Sequence, residues 1–323
     1  MTRPDVTIIF LEVGQGDCTL LIDHSTSLAV LVDCPRGSER LVADEIQRYG
    51  ASLDTAIVTH SHLDHFGGVL DAIEALGCTR LFYNHDTFIA YPRVEDAGGK
   101  QVRDPAVLAS LRRALELDSD KVAAITEGTS ASIGLASISV LAPRHADLSS
   151  AVVNNQPNIA SAVVLIEVGE VRVLIGSDAT AAAWDRLITE KRLPKVTACR
   201  WPHHGADLET HQVGLTKGLA DTLDPQVIVV SVGAFNPYDH PAESFLQVAR
   251  EAPAHLMCTN ATWKCVGSHP QPCAASVSLT ISGGTPTFTP ALADHLHRVR
   301  TFPTPRCLVP KSGHKPPEGN GHN

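Results

Sequence analysis

No apolar run in this 323-residue chain approaches the ~20 residues that cross a bilayer as a helix, so no membrane partner is expected. The opening Met1-Thr2-Arg3-Pro4-Asp5 lacks the charged-then-apolar pattern of a secretory signal, and the expectation is a cytoplasmic protein. Basic residues are few, 26 Lys and Arg against 35 Asp and Glu, for a formal net charge of −9. That balance excludes polyanion binding by bulk electrostatics; any nucleic-acid contact has to be local and metal-assisted. The clearest basic stretches are Lys191, Arg192, Lys195 and Arg200, then Arg298, Arg300, Arg306, Lys311 and Lys315. They read as solvated surface and as a charged tail. Closely spaced cysteines are scarce too. Of eight, only Cys258, Cys265 and Cys273 group together, and with His269 they spell Cys-x6-Cys-x3-His-x3-Cys. That residue set suits an additional structural zinc, although the spacing is not that of a standard finger. Unpaired buried thiols are the competing reading, and a disulfide is disfavoured in a reducing compartment.

What the chain does have is one dense segment, Thr59-His60-Ser61-His62-Leu63-Asp64-His65-Phe66-Gly67-Gly68. A strand-like run, residues 55–59, leads into it, and the apolar run from Val69 to Leu76 beyond it reads as a helix. Imidazoles at i and i+2, then an adjacent carboxylate and imidazole, can be splayed toward two neighbouring cations. The glycine pair lets the backbone pass close beneath them. Imidazole and carboxylate suit zinc, iron or manganese.

This segment resembles the HxHxDH signature of the metallo-β-lactamase superfamily, and the resemblance covers roughly residues 6 to 285. The segment Phe10 to Asp17 (FLEVGQGD) is similar to the opening of the competence-protein (ComEC/Rec2-type) hydrolase domain. Val173 to Asp178 resembles the strand that delivers a bridging aspartate, Trp201-Pro202-His203-His204-Gly205 an "HHG" element, and Ser231 to Pro241 a closing "SVG…N…HP" element. In the competence family the hydrolase is attached to a membrane channel; no such channel is expected from this sequence, so DNA uptake is not carried over.

The resemblance implies α/β architecture, a four-layer αββα sandwich in which each half of the chain supplies one sheet. Strands are expected near 6–13, 18–23, 28–33, 121–126, 131–141, 161–168, 170–177, 196–201, 226–231, 254–258, 276–281 and 285–288. Helices are expected near 38–49, from Asp104-Pro105 onward, and over 179–191, 213–222 and 242–250. One catalytic domain over 1–290 is expected, with an extension over 291–323 that is largely disordered from about Phe302. The long connections 84–104 and 142–160 have the length of segments that line an active site.

The resemblance further implies two divalent metal ions, zinc in the first place with manganese as the alternative. His60 and His62 would bind the first, Asp64, His65 and His240 the second, with Asp178 bridging. Asp33, at the end of a strand, would orient a ligating imidazole. One departure is that relatives carry a third histidine for the first metal where this chain has Asn154 to Ser161; His145 and His85 are the substitutes within the sequence. His203 and His204 follow a strand to the same rim, and His204 is expected to serve the leaving group as an acid, with His203 in a milder role; the competing reading is that one is a metal ligand and the other packs structurally. A hydroxide shared by the two cations would attack phosphorus or a carbonyl carbon. The leading expectation is a phosphodiesterase acting on nucleic acid or a nucleotide. A carbonyl hydrolase (thioester, lactone or lactam) and an effector or binding subunit with a protein partner are the alternatives.

Overall fold

Side chains leave a strand on alternate faces, and in Val6–Phe10 both faces are covered. Val6, Ile8 and Phe10 enter one apolar cluster and Ile9 another. Strands buried on both sides lose the polar alternation of a half-exposed sheet. That is why Leu28–Val32 (LAVLV) and Val163–Val168 (VVLIEV) read as nearly continuous apolar runs. The computed structural model describes residues 4–84, 93–95, 101–103, 121–208 and 214–308.

Two large sheets result. One runs, in spatial order, Thr285–Thr289, Val277–Ser282, Val6–Phe10, Thr19–Asp23, Leu28–Val32, Ser52–Ile57, Arg80–Phe82 and Val122–Ala123. The other runs His255–Cys258, Val227–Val230, Ala198–Arg200, Val171–Ile175, Val163–Val168, Ala136–Ala142 and Ser130–Ile133. Between them lies a shared core that includes Ile8, Val30, Ile57, Val164, Val173, Ala198 and Leu279. Helices Glu39–Arg48 and Val69–Leu76 cover the outer face of the first sheet through Val42, Ile46, Val69 and Ala72. Helices Ala181–Thr189, Leu215–Leu223 and Glu243–Glu251 cover the second through Trp184, Leu187, Leu219, Leu223, Phe245 and Leu246. The fold is therefore an αββα sandwich.

The division of the chain between the sheets differs from the expected one per half. Val277–Ser282 and Thr285–Thr289 return to the first sheet, where Ile8 pairs opposite Leu279 in an antiparallel ladder. An open edge beside Val6–Phe10 would expose unpaired backbone groups, and this return covers it. The stretch expected as one strand over 131–141 is a hairpin, Ser130–Ile133 with Ala136–Ala142. Among the helices not anticipated are His145–Asn154 within the long 142–160 connection and Leu292–Val299 near the C-terminus. The extension expected from residue 291 is described as far as Leu308, with Val299 and Phe302 buried in the core of the second sheet's outer layer. The helix expected from Asp104 lies outside the described residues. Among the described residues no helix is long and apolar enough to cross a membrane.

For function, strand direction matters most. Leu28–Val32, Ser52–Ile57 and Arg80–Phe82 are mutually parallel, as are Val171–Ile175, Ala198–Arg200 and Val227–Val230. The loops leaving their carboxyl ends carry Asp33, the segment from Thr59 to His65, Asp178, the His203-His204 pair and Ser231. The carboxyl edge of parallel strands is where open α/β sheets place their sites.

Candidate metal centre

After Ile57 the chain leaves the first sheet through Thr59 and His60, and His62 begins a single helical turn, Leu63–Phe66. That turn faces Asp64 and His65 toward the same space as His60. Gly68 then runs against the Asp33-to-Pro35 loop: its N–H donates to Cys34 O at 2.8 Å. A Cβ at Gly68 would fall 2.6 Å from Pro35 O, so only glycine fits.

Two groups of donor atoms converge, His60, His62 and Asp178 in one and Asp64, His65 and His204 in the other, each with its ligand atoms within 4.8 Å of one another. In the first, His60 Nε2 and His62 Nδ1 are 3.0 Å apart, and His60 Nε2 is 3.8 Å from Asp178 Oδ2. In the second, His204 Nε2 is 3.7 Å from Asp64 Oδ2. Asp178 joins the two: its Oδ1 is 3.3 Å from His65 Nε2 and 3.6 Å from His204 Nε2.

Behind these atoms is a set of fixed partners. Asp33 Oδ2 accepts from His65 Nδ1 at 2.8 Å, and the same carboxylate accepts from Thr59 N–H at 2.8 Å and Thr59 Oγ1 at 2.6 Å. Ser177 Oγ donates to Thr59 Oγ1, tying the two sheets together under the site. The backbone N–H of Asp178 donates to Ser161 Oγ at 3.0 Å, and Ser161 Oγ lies 3.5 Å from His60 Nδ1. Ser161 therefore stands beside the first group. His145 is exposed on its helix, and His85 lies outside the described residues. On the far side, His204 Nδ1 is 3.2 Å from Ser231 O and 3.5 Å from Asp17 Oδ1. Asp33, Ser177, His203 and His204 adopt left-handed φ of 59°, 45°, 50° and 55°. Each such non-glycine residue costs about 1–3 kcal/mol, and clustering of that strain marks functional sites.

The residues fit a pair of divalent cations. His65 Nε2, His204 Nε2 and Asp178 Oδ1 are buried, face one another and have no hydrogen-bond partner within the protein. Converging, unpaired buried donors of this kind are costly unless something positive lies between them. Burial, then His65 and His62, holds His60 well below the ordinary imidazole value, which keeps its lone pair available. Burial also opposes a proton on His65, but Asp178 and Asp33 outweigh it and hold that imidazole well above its ordinary value. The same carboxylates that attract a proton there attract a cation. The donors are nitrogen and oxygen without sulfur, a set suited to zinc, iron or manganese.

His203 and His240 stand outside both groups. His203 Nε2 is 3.6 Å from Asp178 Oδ2, its ring 6.0 Å from that of His240. His240 stacks on the exposed Tyr238 at 5.8 Å. The two converging groups include His204, expected at the leaving group, and not His240, expected as a donor, although His240 Nδ1 is itself buried without a hydrogen-bond partner. The reason is local backbone. The consecutive left-handed residues 203 and 204 turn the His204 ring inward under Ser231. Sequence reading also missed Arg200, placed with the solvated charges but fully buried, its Nη1 donating to Thr19 Oγ1 at 2.7 Å and its Nε 3.5 Å from Asp17 Oδ1. The available signal was its position inside the apolar strand Ala198–Arg200, followed by Trp201. Asp17 closes the Gly-Gln-Gly-Asp opening.

His269 is also set apart from its expected partners. It is exposed and contacts Ser268, away from the buried Cys258 and Cys273.

Residues 11–183 match the family model described as the metallo-beta-lactamase superfamily. No curated protein matches the chain. Similar solved structures include the metallo-beta-lactamase fold protein YhfI from Bacillus subtilis, 14% identical with a TM-score of 0.46, covering 78% of this chain and 95% of that one. Another is Igni18, a novel metallo hydrolase from the archaeon Ignicoccus hospitalis, 13% identical with a TM-score of 0.47, covering 78% and 94%. A third is CmlA, a diiron beta-hydroxylase from Streptomyces venezuelae, 17% identical with a TM-score of 0.47, covering 78% of this chain. The chain spans 51% of the length of CmlA.

Proposed function

This chain belongs to the metallo-beta-lactamase superfamily, and on that premise we propose that it is a metal-dependent phosphodiesterase acting on a nucleotide or a nucleic-acid strand. His60, His62 and Asp178 would hold one divalent cation and Asp64, His65 and His204 the other, with Asp178 common to both; zinc is the first candidate and manganese the second. When bound, such a pair ionises water near neutral pH and polarises an oxygen of the scissile group.

The protein's own residues do the rest. Asp33 holds His65 in the tautomer that presents Nε2 to the centre. Ser231 O, which can only accept, keeps Nδ1–H of His204 pointed away, leaving its Nε2 for a cation. Arg200 balances the buried Asp17 beside that histidine.

The observation that favours a phosphodiester is the pair His203 and His240, outside both donor groups at the mouth. Their ring N–H groups are available to donate to phosphoryl oxygens there. Next to them Phe235, Tyr238 and Trp263 are large and exposed, and Phe235 and Trp263 line one open groove with Asn236 and Ser268. Asn236 ties that groove to the site, since its side chain accepts from His240 N–H and donates to His240 O. Aromatic faces beside a phosphoryl site suit stacked bases without any requirement for a positive protein surface.

The reading is tested by a panel on zinc- and manganese-loaded protein: bis-aryl phosphate, single- and double-stranded DNA, RNA, a thioester and a lactone. Turnover of the phosphodiesters is expected. Turnover of thioester or lactone alone would replace this reading with carbonyl hydrolysis.

A further inference from the structure

Four of the eight cysteines meet around one small cavity far from the histidines of the metal centre in sequence. Cys258 ends the strand His255–Cys258, Cys265 lies on the short helix Trp263–Val266, Cys273 follows the strand Gln271–Pro272, and Cys307 comes from the C-terminal segment. All four line an enclosed space of about 20 Å³, closed otherwise by Leu246, Phe302 and Arg306 among others. A space of that size admits a single small occupant. The apolar walls offer a water few partners, whereas four sulfurs suit a soft cation.

The surroundings are those of a negatively charged complex. A divalent cation held by four thiolates carries a net charge of −2. Arginines supply the opposite charge: Arg306 acts on Cys258, Arg298 on Cys273 and Arg250 on Cys307. Arg306 Nη1 is buried and has no hydrogen-bond partner, while its Nη2 donates to Glu243 at 2.8 Å. Cys273 Sγ is 3.3 Å from His295 Nε2, and His295 Nδ1 is 2.9 Å from His255 Nε2, so one thiol already has a proton acceptor behind it. Burial and its thiol neighbours push Cys258 up, and burial and Cys265 push Cys307 up to about 11, so without a cation these groups are neutral thiols.

We propose that Cys258, Cys265, Cys273 and Cys307 form a four-thiolate site for a thiophilic divalent cation of the zinc class. Binding releases four thiol protons to solvent and forms four metal–sulfur bonds, with no change of oxidation state. The four cysteines line the cavity, but their sulfurs do not yet converge on one centre, since among the described residues only the two histidine and aspartate groups have ligand atoms within 4.8 Å of one another. Occupation therefore requires the cysteines to turn inward about Cα–Cβ. The site would fasten the segment that carries Phe302 and Cys307 onto the end of the second sheet, next to the short helix bearing Trp263. It stands independently of the reaction at the metal centre, which contains no sulfur.

Cobalt separates the two sites. Full-length protein loaded with Co²⁺ in place of zinc is expected to show the near-ultraviolet sulfur-to-cobalt charge-transfer band, at one thiolate-bound cobalt per chain. Cys307→Ser and, separately, Cys265→Ser are expected to abolish or weaken the band severalfold while circular dichroism stays that of the folded protein. Asp178→Ala is expected to leave the band intact. Absence of the band in folded wild-type protein, or its persistence in both cysteine variants, would overturn the site. So would intact mass two hydrogens lower together with loss of two free thiols, which would mean a disulfide.

Discussion

Asp33 and His65 meet beneath the metal centre, carboxylate Oδ2 to imidazole Nδ1 at 2.8 Å, both fully buried. The contact fixes which ring nitrogen faces the donor cluster, and the remaining capacity of the carboxylate is used by Thr59 N–H and Oγ1. Asp33→Asn preserves shape and tolerates the left-handed backbone at this position but removes the negative charge. Metal affinity at the second group is expected to fall about 10- to 100-fold, read by calorimetric zinc titration. Unchanged affinity would reduce Asp33 to a packing residue.

Trp263 and Phe235 carry the expectation about substrate. Trp263→Ala should raise KM for nucleic-acid substrates by roughly 5- to 150-fold, the equivalent of ~1–3 kcal/mol per stacked base. KM for bis-aryl phosphate and kcat for both should change little. Equal effects on both substrates would separate the groove from base recognition.

Arg200 is a stability prediction. It is fully buried with Asp17 beside it, at 3.5 Å between Nε and Oδ1. Arg200→Met removes the guanidinium and leaves that buried carboxylate with only His204 Nδ1, at 3.5 Å, beside it, so a loss of ~3–5 kcal/mol is expected. Adding Asp17→Asn should recover part of it, and urea unfolding of the four proteins of the cycle measures the coupling. Additive losses would show that the two residues do not act together.

Asp23 gives the pH dependence. Its carboxylate accepts from Ser25 N–H, Ser25 Oγ, Thr26 N–H and Thr26 Oγ1 within the turn, and from Leu135 N–H across to the second sheet. Gly134 passes so close, at φ +51°, that a Cβ there would lie 2.2 Å from the carboxyl. Burial opposes ionisation, but these donors outweigh it and hold the group below its ordinary value of 3.8. A lowered folded-state value means the stabilisation is complete above pH ~4 and is lost as pH falls through the folded-state value. Asp23→Ala is expected to cost about 1–3 kcal/mol at pH 7, with the gap to wild type narrowing below pH 4. A gap independent of pH would contradict the ionic account.

The contrast between His60 and Arg200 shows what could be read from sequence. His60, His62, Asp64 and His65 lie within one short segment at the end of an apolar strand, so their convergence is local and legible. Asp178 is legible for the same reason, as a carboxylate just past an apolar strand. The positions of His204 and His240 are not, because each lies in a loop whose backbone turn decides where its ring points. Which ring enters the centre depends on the left-handed turn at His203 and His204, which Pro-His-His-Gly does not specify. Arg200 was misread because charge density along a sequence carries no information about burial; its partners Thr19 and Ser231 arrive from both sheets. Cys307 escaped the cysteine pattern because the chain reaches the cavity only after the Leu292–Val299 helix. The sandwich itself was legible through its doubly buried strands. The return of Val277–Ser282 to the first sheet was not, since edge pairing leaves no local mark.

The central claim is that two cations occupy this centre with His204, rather than His240, in the second donor set. Anomalous diffraction at the zinc edge from crystals of metal-loaded protein tests it most directly. Two peaks are expected at the centre, one against His60, His62 and Asp178 and the other against Asp64, His65, His204 and Asp178. A single peak there, or a second one bonded to His240 with His204 free, would contradict the account.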